Sequence, residues 1–260
     1  MRRPIFTAFL MLFAMGFSQA QNHVFLTLEG GGGYGIFRDL GISPITYQGL
    51  ELAPAFALNF SSPTWQYQVA LGAQGGGYGY RPGFASMQHY GGLPYFSVSA
   101  MRNVLQKNRL SVWGGLQLSE MMDIRHLPAL GNTSTNFSNF INLSILGRAE
   151  YEVNRFCFHG QLCFAPASVC LRPGFAYLDN FNQDISSPTH NTFDQYAWYV
   201  AALTSVYTDL GATLTLSNGN RIGLAYRWHY LTSRAQTHRA PFVFEQASHA
   251  IVVSLDFILK

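Results

Sequence analysis

The chain of 260 residues carries few charges, because only 11% of its residues are Asp, Glu, Lys or Arg, whereas an ordinary soluble domain carries about 25%. Aromatic residues make up 15% of the chain, which excludes intrinsic disorder, since disordered segments have few aromatic residues and much charge. The formal net charge is only +3, so no nucleic-acid partner is expected.

The first residues have the pattern of an export signal. Arg2 and Arg3 precede a mostly apolar stretch over 5–17, and small residues follow up to Ala20. This order is typical of a secretory signal peptide, and the apolar stretch is shorter than the roughly 20 residues of a membrane-spanning helix. We therefore predict a signal peptide over 1–20 and one mature domain over 21–260. Later windows contain too much Gly and polar sequence for a membrane helix, so any membrane-spanning part must consist of strands.

Alternation of apolar and polar residues runs through the mature domain and indicates strands. It is clearest over 141–153, 222–230 and 251–259. Ten strands are predicted, over 23–36, 46–60, 65–79, 90–103, 109–121, 139–153, 155–169, 195–216, 221–233 and 247–259. They exceed the average globular strand of about 5 to 6 residues and reach the roughly 9 to 11 residues of a membrane strand. Segments 119–127 and 192–205 also have a helical alternative, and Pro54 and Pro94 lie inside predicted strands.

The connections between these strands alternate in length. Short turns fall at 61–64, 105–108, 154 and 217–220, and longer segments lie at 37–45, 80–89, 122–138, 170–194 and 234–246. Outer-membrane barrels show this asymmetry, with short periplasmic turns and long extracellular loops. The predicted fold class is therefore all-β, a closed antiparallel transmembrane β-barrel of about ten strands in an up-and-down meander.

The polar residues of the strands are predicted to line the lumen. If Ile141, Phe156, Leu224 and Leu255 face lipid, the opposite face also carries Glu152 and Arg221 and a lumen charge network, for which we predict Glu29, Glu51, Arg148, Glu150, His159, Asp209, Arg227, His229 and Asp256. Buried charges must pair, because an unpaired one costs several kcal/mol. Counting residues from the short-turn end places Arg227 among Glu29, Asp209 and Asp256, with His229 at similar depth.

This network is expected to fill the lumen with ion pairs, while a narrow polar conduit, a ligand site or a catalytic cluster remain alternatives. A barrel of about eight strands is just filled by side chains, and porin channels need about 16 to 18 strands. General diffusion through a ten-stranded barrel is therefore not expected.

Residues that could carry catalysis are scattered. The predicted rim holds Asp39, Asp123, His126, Asp179, Asp184, His190, Asp194 and His238, without an Asp-Asp pair. Ser248 and His249 are adjacent on a strand and point to opposite faces. Cys157 and Cys163 lie about 20 Å apart along their strand, too far for a disulfide, and their spacing disfavours a metal site with His159 and His229. Neither a cofactor nor a metal is predicted.

Several features together resemble a known group of proteins. They are the leader, the Gly-rich segment 29–35, the stretch 38–44 followed by Tyr47 and Gly49, and an aromatic last strand ending at Lys260. As architecture, the mature chain resembles uncharacterised outer-membrane β-barrel proteins of Bacteroidota. The resemblance implies the barrel fold and the bacterial outer membrane as location, and it brings no catalytic residues or substrate.

The expected function is that of a surface binding or structural component in the outer membrane of a Gram-negative bacterium. Its expected partners are outer-membrane lipid, the barrel-assembly machinery and an unidentified extracellular ligand. Two alternatives remain. One is an outer-membrane hydrolase that acts on lipid or peptide at the extracellular rim, and the other is a narrow, solute-specific pore.

Overall fold

A computed structural model describes residues 23–39, 43–80, 89–126, 135–173, 196–236 and 241–259, so the predicted signal peptide lies outside the described residues. These residues form eleven strand segments, β1 (His23–Asp39), β2 (Ser43–Leu52), β3 (Ala55–Ser61), β4 (Trp65–Gly79), β5 (His89–Lys107), β6 (Leu110–His126), β7 (Thr135–Val153), β8 (Phe156–Pro173), β9 (Tyr196–Thr215), β10 (Arg221–Gln236) and β11 (Pro241–Ile258). No described segment forms a helix long and apolar enough to cross a membrane.

The segments form one closed antiparallel sheet. From β4 to β11 each segment pairs with its neighbours along the chain, and β1 also pairs with β11, from Phe25 opposite Ile258 to Asp39 opposite Phe244. Both β2 and β3 lie between β1 and β4, so together they make one strand of the barrel. The prediction of an all-β, closed, up-and-down barrel of ten strands is confirmed.

The second barrel strand is interrupted at Ala53 and Pro54, where the predicted strand 46–60 is wrong in detail. Proline has no N–H to donate to a sheet ladder, which favours a break at this point. The edges stay close, because Ala53 N donates to Gly31 O and Ala73 N donates to Pro54 O. Pro94, in contrast, lies inside β5 opposite Ala73.

The two ends of the barrel differ in their connections. At one end, which we call the short-turn end, the strands are joined by residues 62–64, 108–109, 154–155 and 216–220. Asn108 and Asn154 have φ of 52° and 55°, a left-handed conformation that Asn tolerates better than most residues. Three of the short turns lie within one residue of their predicted places, whereas the turn predicted over 105–108 is reduced to 108–109 because β5 continues to Lys107.

At the opposite end, the long-loop end, the strands extend further than predicted. Strand β6 continues to His126, β7 begins at Thr135, β8 reaches Pro173 and β11 begins at Pro241. The predicted loops 122–138, 170–194 and 234–246 were therefore too long, and the helical alternative for 119–127 is wrong up to His126. Cys170 likewise lies on β8 and is buried, although it was expected at the start of a loop.

The outer wall of the barrel is apolar. Phe156, Leu224 and Leu255 are exposed there as expected, and Ile141 is partly exposed. More than half of the side chain is exposed in a belt of aliphatic residues that includes Leu50, Leu71, Leu116, Leu143, Ile145, Leu162, Leu210 and Ile251. A soluble protein in water would not leave such a large apolar belt uncovered. This outer wall therefore requires an apolar environment.

Two inward-facing glycines make room for lumen side chains. A Cβ atom at Gly35 would lie 2.1 Å from Oε1 of Glu51, and one at Gly72 would lie 2.5 Å from the ring of Tyr95. Both distances are far below van der Waals contact. Glycine at these positions therefore lets the Glu51 carboxylate and the Tyr95 ring lie flat against the wall of the lumen.

Candidate functional site in the lumen

Three of the predicted lumen charges form one ion-paired cluster at mid-height. Arg227 on β10 donates two hydrogen bonds of 2.7 Å to the carboxylate of Glu29 on β1, and its Nε donates to Asp209 on β9 at 2.6 Å. On the other side of Asp209, the Nε2 atom of His159 lies 2.9 Å from Oδ1. Tyr207 donates its hydroxyl to Oδ2 of Asp209 at 3.2 Å. One guanidinium thus pairs with two carboxylates.

A second ion pair lies nearer the short-turn end. Arg148 Nε donates to Glu150 at 2.7 Å, and Arg148 Nη1 donates to Gln161 at 3.3 Å. Trp113 donates its indole N–H to Glu150 at 3.0 Å. This pair is separate from the Arg227 cluster, so the predicted network consists of discrete groups.

Asp256 does not join Arg227, and its predicted place among the Arg227 carboxylates is corrected. Thr27 Oγ1 donates to Asp256 Oδ1 at 2.7 Å, Asn59 donates to Thr27 at 2.8 Å, and Gln68 donates to Asn59 at 2.8 Å. The carboxyl group of Asp256 is thus bound by one hydroxyl, which is itself held by a chain of two amides, and Arg227 is engaged elsewhere.

Glu51 belongs to another cluster, near the long-loop end. Tyr78 donates its hydroxyl to Glu51 Oε1, and Gln74 donates its amide to Oε2 at 2.6 Å. Gln246 reaches Oε1 at 3.5 Å. The side chain is only 3% exposed, and its partners are neutral hydrogen-bond donors.

Above the Arg227 cluster the lumen is closed by a layer that was not predicted, and we call it the aromatic plug. It consists of Phe37, Tyr47, Tyr78, Phe140 and Phe244, all buried, together with Arg125. The guanidinium carbon of Arg125 lies 3.7 Å from the ring centroid of Phe37 and 4.9 Å from that of Phe244. These contacts are cation–π interactions, which are strongest when desolvated.

Arg125 is anchored within the plug by two polar partners. Its Nε donates to the Asp123 carboxylate at 2.8 Å, and its Nη2 donates to Gln246 at 2.9 Å. Both Asp123 and Arg125 are buried on β6, although Asp123 was predicted at the rim. The sequence signal that could have found them is the run from Met122 to Arg125, in which the apolar Met122 and Ile124 alternate with the charged Asp123 and Arg125.

Below the plug the lumen is not filled, and its cavity of about 310 Å³ is called the chamber. Its ceiling is formed by Tyr95 and Met121, which pack against the plug cluster. Near the ceiling, Ser205 Oγ lies 3.1 Å from Nε2 of the predicted network member His229, and the Tyr207 ring meets the imidazole edge-on. The expectation of a lumen filled by side chains thus applies to the plug, while the part below it is hollow.

The other chemistry-bearing residues are dispersed. Cys157, Cys163 and Cys170 are free thiols. Within the described ranges, no three His, Cys, Asp or Glu side chains lie close enough to hold a metal ion. His126 is exposed, whereas the side chain of Asp39 and the predicted rim residues Asp179, Asp184, His190, Asp194 and His238 lie outside the described side chains. Ser248 is buried and His249 faces outward, where it contacts the Tyr226 hydroxyl.

No protein-family model matches the chain, and no curated protein matches it. Among solved structures, the chain is similar to the outer membrane protease OmpT from Escherichia coli, with 9% identity, a TM-score of 0.54, and coverage of 92% of this chain and 97% of that chain. The translocator domain of the autotransporter NalP from Neisseria meningitidis, at 8% identity, aligns over 97% of this chain and 95% of its own with a TM-score of 0.42.

At such identities the likeness concerns the fold alone, and only the OmpT comparison has a score high enough to support it. That structure matches nearly the whole of this barrel. The chain therefore has the fold of a bacterial outer-membrane protein, a closed antiparallel β-barrel of ten strands.

Proposed function

We propose that the protein resides in the outer membrane of a Gram-negative bacterium of the Bacteroidota type, as a barrel that does not conduct solutes. Two features suit lipid. The outer wall is apolar, and the closed barrel leaves no unpaired backbone groups toward the hydrocarbon. Its role is that of a binding or structural component. The proposed partners are outer-membrane lipid, the machinery that assembles barrels, and an unidentified ligand at the long-loop end.

The observation that carries the non-conducting function is the aromatic plug. Its members come from β1, β2, β4, β6, β7 and β11, so they reach into the lumen from most of the circumference. Phe37 is 1% exposed, and Phe140 and Phe244 are fully buried. Close-packed side chains leave no path for a hydrated ion, because protein interiors contain few voids larger than a water molecule.

The alternatives are less well supported by the geometry. A solute-specific pore needs a continuous path, and the plug interrupts it. A hydrolase at the extracellular rim needs a catalytic group there; of the described residues, the Ser205 and His229 pair lies inside the lumen below the plug. At 9% identity, the similarity to a protease concerns the fold alone.

The plug predicts the electrical behaviour of the purified protein. In planar lipid bilayers, the parent protein should give negligible single-channel conductance. The double variant Phe37→Ala, Phe244→Ala removes both rings that sandwich Arg125 and should produce steady channel openings, since each truncation of a buried Phe leaves a large void.

The matched control makes the same change on the outer wall. Phe156 and Phe158 are both exposed there and stack on each other, so the double variant Phe156→Ala, Phe158→Ala should remain silent. Steady, ion-selective conductance from the parent protein would contradict the non-conducting function and favour the alternative of a solute-specific pore.

The proposed membrane orientation can be tested on intact cells. The β9–β10 turn at 216–220 is too short to be anything but periplasmic in a barrel of this kind. An epitope tag inserted within 180–188 should therefore be reached by antibody from outside, and a tag at Gly219 should be reached only after the outer membrane is permeabilised. Labelling restricted to Gly219 in intact cells would reverse the orientation.

A further inference from the structure

Among the described residues, the chamber is closed toward the long-loop end and opens toward the short-turn end. Its lower wall includes Gln66 and Arg221, next to the short turns, and its ceiling is Tyr95 and Met121 beneath the plug. The Arg148 and Glu150 side chains near the mouth are 26% and 16% exposed, whereas Ser97 and Ser248 near the ceiling are 3% and 1% exposed. Solvent therefore enters from below. At about 310 Å³, the chamber falls at the small end of the range of ligand pockets, roughly 300 to 1,000 Å³.

The walls of the chamber differ in character. On β3, on β4 and in the break before β3, the wall carries the methyl groups of Ala53, Ala55, Ala57 and Ala70, flanked by the amide side chains of Asn59, Gln68 and Gln74. Facing it across the barrel, strands β6, β7 and β9 present the neutral polar groups of Gln117, Ser119, Ser144 and Ser205. The chamber thus has a patch of alanine methyl groups on one side, which we call the alanine wall, and a cluster of hydroxyl and amide groups on the other, which we call the hydroxyl wall.

Hydrogen-bonding capacity is available near the ceiling. Ser248 lines the chamber and is 1% exposed, and its hydroxyl has no hydrogen-bond partner among the described residues. It lies directly opposite His229, the imidazole that contacts Ser205. A buried hydroxyl without a hydrogen-bond partner is costly. A ligand that forms a hydrogen bond with Ser248 would remove this cost, which would favour binding.

The charges of the chamber argue for an uncharged ligand. The lining contains three arginines and four carboxyl groups, and the strongest ion pairs are already made between Arg227, Glu29 and Asp209. An anion would meet the excess of carboxylates. A cation would have to compete with an arginine that holds two hydrogen bonds to the same carboxylate.

We propose that the chamber binds a neutral sugar of about one pyranose ring, which enters from the short-turn end. A pyranose has an apolar C–H face and a rim of hydroxyl groups, and these complement the alanine wall and the hydroxyl wall. The inference goes beyond the non-conducting function and does not depend on it, since the plug would close the barrel whether or not the chamber is occupied.

The test is isothermal titration of the full chain in a detergent without sugar headgroups, such as lauryldimethylamine oxide. Glucose should bind saturably, and glucose 6-phosphate should bind at least about tenfold more weakly because it carries charge into the chamber. Ala57→Leu should abolish glucose binding by filling the alanine wall. Ser248→Ala should weaken binding roughly tenfold, as expected when a hydrogen bond inside a buried site is lost.

The matched control is Ala149→Leu, which makes the same change on the exposed outer face of β7 and should leave glucose binding unchanged. Heat-modifiable gel migration verifies that each variant is folded. If Ala57→Leu does not fold, the small Ser248→Ala change still decides the outcome. Absence of saturable glucose binding, or equal binding by the parent and Ser248→Ala, would overturn the proposal, and so would equal affinity for glucose 6-phosphate.

Discussion

Replacing Arg227 with alanine should lower the free energy of unfolding by about 3 to 5 kcal/mol, the usual cost of breaking a buried ion pair. The Arg227 guanidinium holds Glu29 through two hydrogen bonds and Asp209 through a third. Its removal leaves two carboxylates facing one another in a confined lumen. The loss can be measured by urea denaturation followed by tryptophan fluorescence, or by the temperature at which gel migration shifts to that of the unfolded form.

Arg221→Ala is the matched control, because it removes the same side chain from the same strand. The Arg221 guanidinium lies at the mouth of the chamber, 4.2 Å from the centroid of the Phe25 ring, and its loss should cost about 1 kcal/mol, in keeping with an exposed cation–π contact. If Arg227→Ala lowers the free energy of unfolding no more than Arg221→Ala does, the Arg227 cluster is solvated like a water-filled pore wall, where a single charge contributes little to stability.

Arginine on the outer wall should impair assembly of the barrel. Leu224 is 57% exposed on β10, and in the proposed outer-membrane location Leu224→Arg or Val253→Arg would put a charge toward lipid at a cost of about 2 to 4 kcal/mol at the bilayer midplane. The expected result is a smaller fraction of folded barrel in the outer membrane, measured by heat-modifiable gel migration of membrane fractions.

Two control variants test whether the assembly defect comes from a charge on the outer wall and not from the substitution itself. Ser217→Arg adds the same side chain to the exposed β9–β10 turn and should assemble normally. Gln161→Asn, a polar change inside the lumen, should also be tolerated, although it weakens the contact with Arg148. If Leu224→Arg assembles as well as Ser217→Arg, the outer wall does not face lipid.

The barrel was predictable because one face of each strand is apolar and the other polar, which makes the alternation easy to see. Strand β4 has the predicted bounds, Trp65–Gly79. The long-loop ends of the strands were missed for the opposite reason. There the inward face is also apolar, as Phe140 and Phe244 show, so the alternation disappears and the sequence looks irregular. The aromatic members of the plug were missed for the same reason.

Parts of the lumen could be placed by counting residues, and parts could not. Glu29, Asp209 and Arg227 could be brought together because a short turn sets the register of β9 against β10 and closure sets that of β1 against β11. Counting gives the height of a Cα atom and not the partner that a side chain selects. Asp256 is bound by the nearer hydroxyl of Thr27, and Glu51 is bound by Tyr78 and Gln74, which counting did not identify.

The pairing of the first and last strands also constrains how this molecule can be made. Thr27 and Asp256, which bond across that seam, are separated by 229 residues, and Arg227 and Glu29 by 198. Neither contact can exist while the chain is still emerging from the ribosome, so the mid-height cluster cannot nucleate folding. Contacts of such long range slow folding, and until β11 is in place both β1 and β10 present open edges that invite pairing with other chains. The growing polypeptide must therefore remain unfolded and protected until its final strand is available.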